Sequence, residues 1–174
     1  MQRSLVGSEM CIRDRVYLTD EKFTIERGFP LTWFNYFAWK KGPVAPEVYD
    51  VKNGSFADFV QCHRNSNDKY EVSPVGGALT EDRLNLYSRY EMNMIDEIIS
   101  KYGSMSADEL TDITHLENTL WSKVVNENKL TFSDSGRSDC EIHLNRLIEG
   151  DEEKEEVFED ALEYMQFCNA TSTC

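Results

Sequence analysis

The run Ala38-Trp39-Lys40-Lys41-Gly42-Pro43-Val44-Ala45-Pro46-Glu47-Val48-Tyr49 constrains this chain more than any other stretch. Gly42 suits a left-handed backbone position, where a Cβ would clash. Pro43 has no N–H to donate and cannot continue a helix. Lys40 and Lys41 would occupy the last turn of a preceding helix, where cations meet the negative end of the helix dipole. Pro46 fits the first turn of a new helix and pushes Ala45 toward extended geometry. The run therefore predicts a helix that stops and another that starts at once. The result is a rigid corner with Trp39, Val44 and Tyr49 held around it. Patterning alone leaves open whether the corner is a packing joint or a recognition surface.

The flanking sequence predicts mostly helices. Thr32 can cap one over 33–41, with Leu31, Phe34, Phe37 and Ala38 facing inward. A short helix from Pro46 to Lys52 stops at Asn53-Gly54. Ser55 can cap the next, with Phe56, Phe59, Val60 and His63 at helical spacing. A polar turn over 65–68 precedes a weak strand over 69–75, which Pro74 restricts to a sheet edge. Residues 80–87 hold one helical turn at most. Ser88-Arg89-Tyr90-Glu91, Ser106-Ala107-Asp108-Glu109 and Ser138-Asp139-Cys140-Glu141 each read as a capping box. The first box opens a helix with Ile95, Ile98, Ile99 and Tyr102 on one face, closed by Gly103. The second opens one with Leu110, Ile113 and Thr114, and Trp121, Val124 and Val125 supply another apolar turn. The third opens one with Cys140, Leu144, Leu147 and Ile148, broken by Gly150. Asp151 can cap a last helix with Val157, Phe158, Ala161, Leu162, Met165 and Cys168 as its stripe. Its glutamate-rich first turns suit a helix N-terminus. The fold class expected is mainly α: a single compact helical domain with a small β-strand or hairpin element.

Composition narrows the function. A chain of 174 residues with 40% hydrophobic and 11% aromatic side chains can build one proper core. The formal net charge is -14. Phosphate contacts need clustered Lys and Arg, so direct nucleic-acid binding is not expected. An acidic chain is better placed to meet a basic partner, and the acidic run over 149–163 is either a solvated face or the surface that does so. No run spans a bilayer, so no membrane role is expected. Cys11, Cys62, Cys140, Cys168 and Cys174 are scattered and odd in number. They fit a reducing cytoplasm better than a disulfide framework.

Catalytic and metal chemistry find little support. His115 and Glu117 lie two residues apart, which points them to different faces of a helix. No nucleophile signature surrounds a Ser or Cys. Cys140-x-x-His143 and Cys62-His63 lack the paired spacing of structural zinc. Gly76-Gly77 lacks the lysine and hydroxyl of a phosphate loop. No catalytic residue, metal or cofactor is assigned.

Two stretches carry a resemblance. The run around Gly42 is similar to a signature of the Panacea, or SocA-like, antitoxin family of bacteria and their phages. "YGSMSADELTDITHLENTLWSK", residues 102–123, resembles that family's later motif of a glycine turn, a short helix, Thr-His and a downstream Trp. The resemblance covers about 16–125, leaving 126–174 as a C-terminal helical extension. It implies a non-enzymatic antitoxin that neutralises a cognate protein toxin by direct contact, the toxin differing from member to member. Its motif residues here are Trp39, Gly42, Pro43, Val44, Pro46, Tyr49, Thr114, His115, Glu117 and Trp121. Thr114-His115 is expected to hydrogen-bond the helix to the Gly-Pro corner. A second use of the same scaffold is an adaptor delivering a bound protein to a protease or chaperone; a third is a phage-associated hydrolase built on His115. Residues 1–15 stand apart. They lack periodicity and resemble a translated sequencing-adapter tract, so they are expected to be a non-native leader. The family's first helix, which ends here in Tyr17-Leu18-Thr19-Asp20, would then be truncated.

Overall fold

The computed structural model describes residues 7–66, 69–78 and 80–171. Asn67 and Asp68 of the expected turn, the first six leader residues and Cys174 lie outside them. A two-residue strand, β1 (Gly7–Ser8), leads into α1 (Glu9–Arg27), where the Ser8 hydroxyl accepts the Cys11 N–H. Left-handed Gly28, at φ 89°, ends the helix and donates its N–H to Thr24. Residues 9–15 supply the first turns of α1, with Cys11, Arg13 and Asp14 buried. The helix is the hub of the fold, touching both sheets and several other helices.

Asp20 sets the path of the chain beyond α1. One of its oxygens accepts the N–H groups of Leu31 and Thr32, both at 2.9 Å. The other accepts the Tyr36 hydroxyl at 2.8 Å, and also the Thr32 hydroxyl. This knot fixes a bent connecting segment, with Trp33 at a positive φ of 58°, and the aromatic run Tyr36-Phe37-Ala38-Trp39 continues as a strand. The helix expected over 33–41 is therefore absent. In its place stand β2 (Tyr36–Trp39) and β3 (Gly42–Val44), an antiparallel hairpin with Phe37 opposite Val44 and Trp39 opposite Gly42. Tyr36 and Ala38 alternate into the core, a period-2 pattern that spacings of three and four had disguised. Gly42 is left-handed as expected, at φ 111°, but in a hairpin turn and not at a helix end. Pro43 sits on the edge strand of the order β3-β2-β6, where a missing N–H costs little. The second half of the corner matches expectation: Ala45 is extended and Pro46 opens α2 (Pro46–Tyr49). A 3-10 turn, Asp50–Asn53, and left-handed Gly54 complete it.

The helix expected after Ser55 is also replaced. Phe56 takes a positive φ of 60°, and Val60 begins β4 (Val60–Arg64), paired with β5 (Tyr70–Pro74). The sheet order β1-β5-β4 makes β5 the middle strand and not an edge. Pro74 is tolerated because it closes the strand, opposite Val60. Thr80 caps the single turn α3 (Glu81–Leu84). The first two capping boxes form as expected, opening α4 (Arg89–Tyr102) and α5 (Ala107–Thr114). Gly103 closes α4 in right-handed geometry, at φ -62°. Thr119 caps α6 (Leu120–Glu127).

The third box does not form. Ser138 instead donates its hydroxyl to the Ala38 carbonyl at 2.6 Å, and Glu141–Ile142 joins β2 as β6. A 3-10 turn, Leu144–Leu147, comes next. Asp151 caps α7 (Glu152–Thr171) by accepting the Lys154 N–H at 3.3 Å. Phe158 packs on Trp33, but Leu162, Tyr164 and Phe167 stay exposed. The fold is thus mainly α, with two small antiparallel sheets among the described residues. The main core lies between α1, the hairpin and helices α4 to α6.

Candidate functional site

The two sequence motifs meet at Gly42. A Cβ there would lie 3.0 Å from the Thr114 hydroxyl, and 3.9 Å from both Asp14 Oδ1 and His115 Nε2. The C-terminus of α5 is therefore seated on the bare face of the hairpin. Thr114 is buried and donates its hydroxyl to the Thr111 carbonyl at 3.1 Å, within its own helix. His115 stacks on Trp121 with ring centroids 3.6 Å apart and planes 9° from parallel. Trp121 donates Nε1–H to the Trp39 carbonyl at 2.8 Å. The hydrogen bond that ties the motifs thus comes from Trp121. Thr114 and His115 contribute close packing and not the hydrogen bond expected of them.

Burial sorts the motif residues. Gly42, Pro43, Val44 and Thr114 are buried and can only build the fold. Trp39, Pro46, Tyr49, His115 and Trp121 are half-buried, and Glu117 is exposed. Trp39 and Tyr49 meet edge to face at 5.0 Å, the near side of a shallow pocket of about 300 Å³. Lys40 and Lys41 flank it, and the 134–137 loop forms the opposite wall. That loop is pinned by the Lys40 N–H, which donates to the Gly136 carbonyl at 2.7 Å. Arg137 lies 4.8 Å from the Trp39 ring centroid and 5.0 Å from that of Tyr49. Lys52 Nζ sits 3.5 Å from the Tyr49 centroid. Sequence reasoning missed Arg137 and Lys52 as site residues. Nothing local marks Arg137, since its loop reaches the hairpin through the Lys40–Gly136 hydrogen bond and the β2–β6 pairing, both long-range.

Electrostatics reflect this packing. Lys52 first, then Arg137, hold the Tyr49 phenol below its ordinary range. Burial pushes the His115 imidazole down, with Lys41 reinforcing the shift and Asp112 opposing it. Asp14 is fully buried without a hydrogen bond, and burial raises its carboxyl to about 7. No group of three or more His, Cys, Asp or Glu among the described residues is placed to hold a metal ion. Nor is any of their helices long and apolar enough to cross a membrane.

No curated protein and no solved structure matches the chain. A family model described as "Antitoxin SocA-like, Panacea domain" matches residues 15–122. That span holds α1 from Arg15 onward, the hairpin, the pocket's aromatic wall and the Thr-His helix. With the Gly42 motif and all but the last residue of the second inside a match covering most of its length, the chain belongs to the SocA-like antitoxin family with a Panacea domain.

Proposed function

We propose that this protein is a cytoplasmic antitoxin that masks one cognate protein toxin by direct contact, without catalysis of its own. The family match over 15–122 carries the reading, because antitoxins of this family imply a protein partner. The geometry supports a binding role. The motif residues pack a rigid hairpin against α5 and α6, and this leaves Trp39, Tyr49 and the lysine turn on an accessible face. The stacking of His115 on Trp121, with Nε2 toward Gly42, favours a packing role for it over a hydrolytic one.

The exposed acidic helix α7 offers a second contact surface, suited to a basic region of the partner. Its Glu152, Glu153, Glu155, Glu156 and Glu159 all face solvent, beside the exposed Leu162, Tyr164 and Phe167. The test is co-expression of the 174-residue chain with the product of the adjacent reading frame. Growth arrest by that product alone, relieved by this chain with toxin abundance unchanged, supports masking. Relief with loss of the toxin supports delivery to a protease instead. No toxic neighbour, or no relief, removes the antitoxin reading.

A further inference from the structure

The local charge at the hairpin is opposite to that of the whole molecule. The chain carries a formal charge of -14, yet Lys40, Lys41, Lys52 and Arg137 gather around Trp39 and Tyr49. Several cations elsewhere are matched: Lys22 and Arg27 pair with Glu97 and Glu91, and Arg146 with Glu127. None of the four hairpin cations has a carboxylate within ion-pair distance among the described residues. Arg13, at the pocket floor, is 5% exposed and faces Glu9 at 3.5 Å, so that pair is internally neutralised.

We propose that this pocket receives a carboxylate-bearing acidic segment of the partner protein, held by Lys41 and Arg137 against the Trp39 and Tyr49 rings, with Lys52 seated on the Tyr49 ring beside it. The identity of the partner rests on the antitoxin reading; the chemistry of the pocket does not. A guanidinium presents parallel donors that match a carboxylate bidentately. Stacked on two aromatic rings, Arg137 is already ordered, so less conformational freedom is lost on binding. The pocket is about 300 Å³, room for one or two side chains and not for a long track. Nucleic acid is the poorer occupant. It needs an extended basic stripe, whereas here Asp134 and Glu9 line the same pocket and the acidic remainder of the molecule repels a polyanion.

The test uses the full chain and three fluorescent probes in anisotropy titrations: a hexaglutamate peptide, a hexalysine peptide and a short oligothymidine. Hexaglutamate should bind, and Arg137→Glu or Lys41→Glu should weaken it about fivefold or more, while Lys101→Glu, on the exposed face of α4, should not. Arg137→Gln and Lys41→Gln guard against misfolding and should show the same loss, at smaller size, with unchanged melting. Equal hexaglutamate binding by the wild type and these variants overturns the proposal. So does oligothymidine binding as tight and as sensitive to them, which would make the pocket a nucleic-acid site. Self-association lost in the same variants would hand the pocket to the acidic α7 of a second copy, and also overturns it. If the wild type neutralises its toxin and Arg137→Glu neutralises it equally well, the pocket assignment fails while the antitoxin reading stands. Hexaglutamate binding with no toxic neighbour leaves the pocket standing and removes the antitoxin.

Discussion

Asp14 and Asp20 lie on the same helix and are equally buried, yet one is served by the fold and the other is not. Asp20 accepts from two backbone N–H groups and two hydroxyls. Asp14 accepts from nothing. Both carboxyls are raised by burial, but at Asp20 the four donors offset much of that cost. A buried charge is sustainable where donors are built around it, and expensive where they are not. Among the described residues, the buried side-chain atoms without a hydrogen bond belong to Glu9, Arg13, Asp14, Thr111 and His115. The first three precede the family match, which begins at residue 15.

The largest expected effect tests the served carboxylate. Asp20→Ala strands the N–H groups of Leu31 and Thr32 and the Tyr36 hydroxyl, and should cost about 4–5 kcal/mol. Denaturant melts should show it, and Asp20→Asn should lose less because it keeps one acceptor. An Asp20→Ala protein as stable as its parent would break the comparison outright.

The unserved carboxylate should behave in the opposite way. With its folded-state value at about 7 against an ordinary 3.8, Asp14 holds its proton more tightly in the folded state. Its contribution therefore declines as pH rises from about 4 to about 7, and the full penalty stands above that. Asp14→Asn removes the titration and should gain roughly 2–4 kcal/mol at pH 8 while changing little at pH 4. Asp14→Leu should do at least as well at pH 8. Equal stability of Asp14→Asn and its parent at both pH values would mean that Asp14 is solvated after all.

How much of the fold is legible in the sequence depends on whether the deciding contact is local. Ser88, Ser106 and Asp151 cap helices from within their own turns, and their patterns alone announce it. Gly42 and Pro46 behave as their backbones dictate in almost any context. Ser138 carries the same capping pattern, but its hydroxyl is taken by Ala38, far away in the chain. Residues 33–41 have helical spacing, yet 36–39 form strand because Asp20 holds Thr32 and Tyr36 from another element. The pocket is half legible: Trp39, Lys40, Lys41 and Tyr49 belong to the motif, while Arg137 reaches them only through those long-range backbone contacts.

A smaller effect sharpens the reading of the motif junction. Gly42→Ala combines a positive φ with a Cβ 3.0 Å from the Thr114 hydroxyl. It should cost about 1–2 kcal/mol, more than backbone preference alone, because Thr114 must move. Pairing it with Thr114→Ala should recover part of the loss. Full additivity of the two would mean that the hairpin and α5 do not meet as described.

The smallest expected effect comes from His115, and its sign is opposite to that of Asp14. Burial lowers the imidazole, so the unfolded chain takes up a proton more readily than the folded one. Stability contributed by neutral His115 is full above its ordinary value near 6.5 and is lost as pH falls from there toward the lowered value. His115→Phe keeps a flat ring against Trp121 and cannot titrate. The stability of the parent relative to that variant should be constant above about pH 7 and should fall on acidification. Because His115 is only partly buried, the change should stay well below that of Asp14. A relative stability that rises on acidification would place a charged His115 against an unseen acceptor, and would reopen Asp14 as its partner across the Gly42 gap.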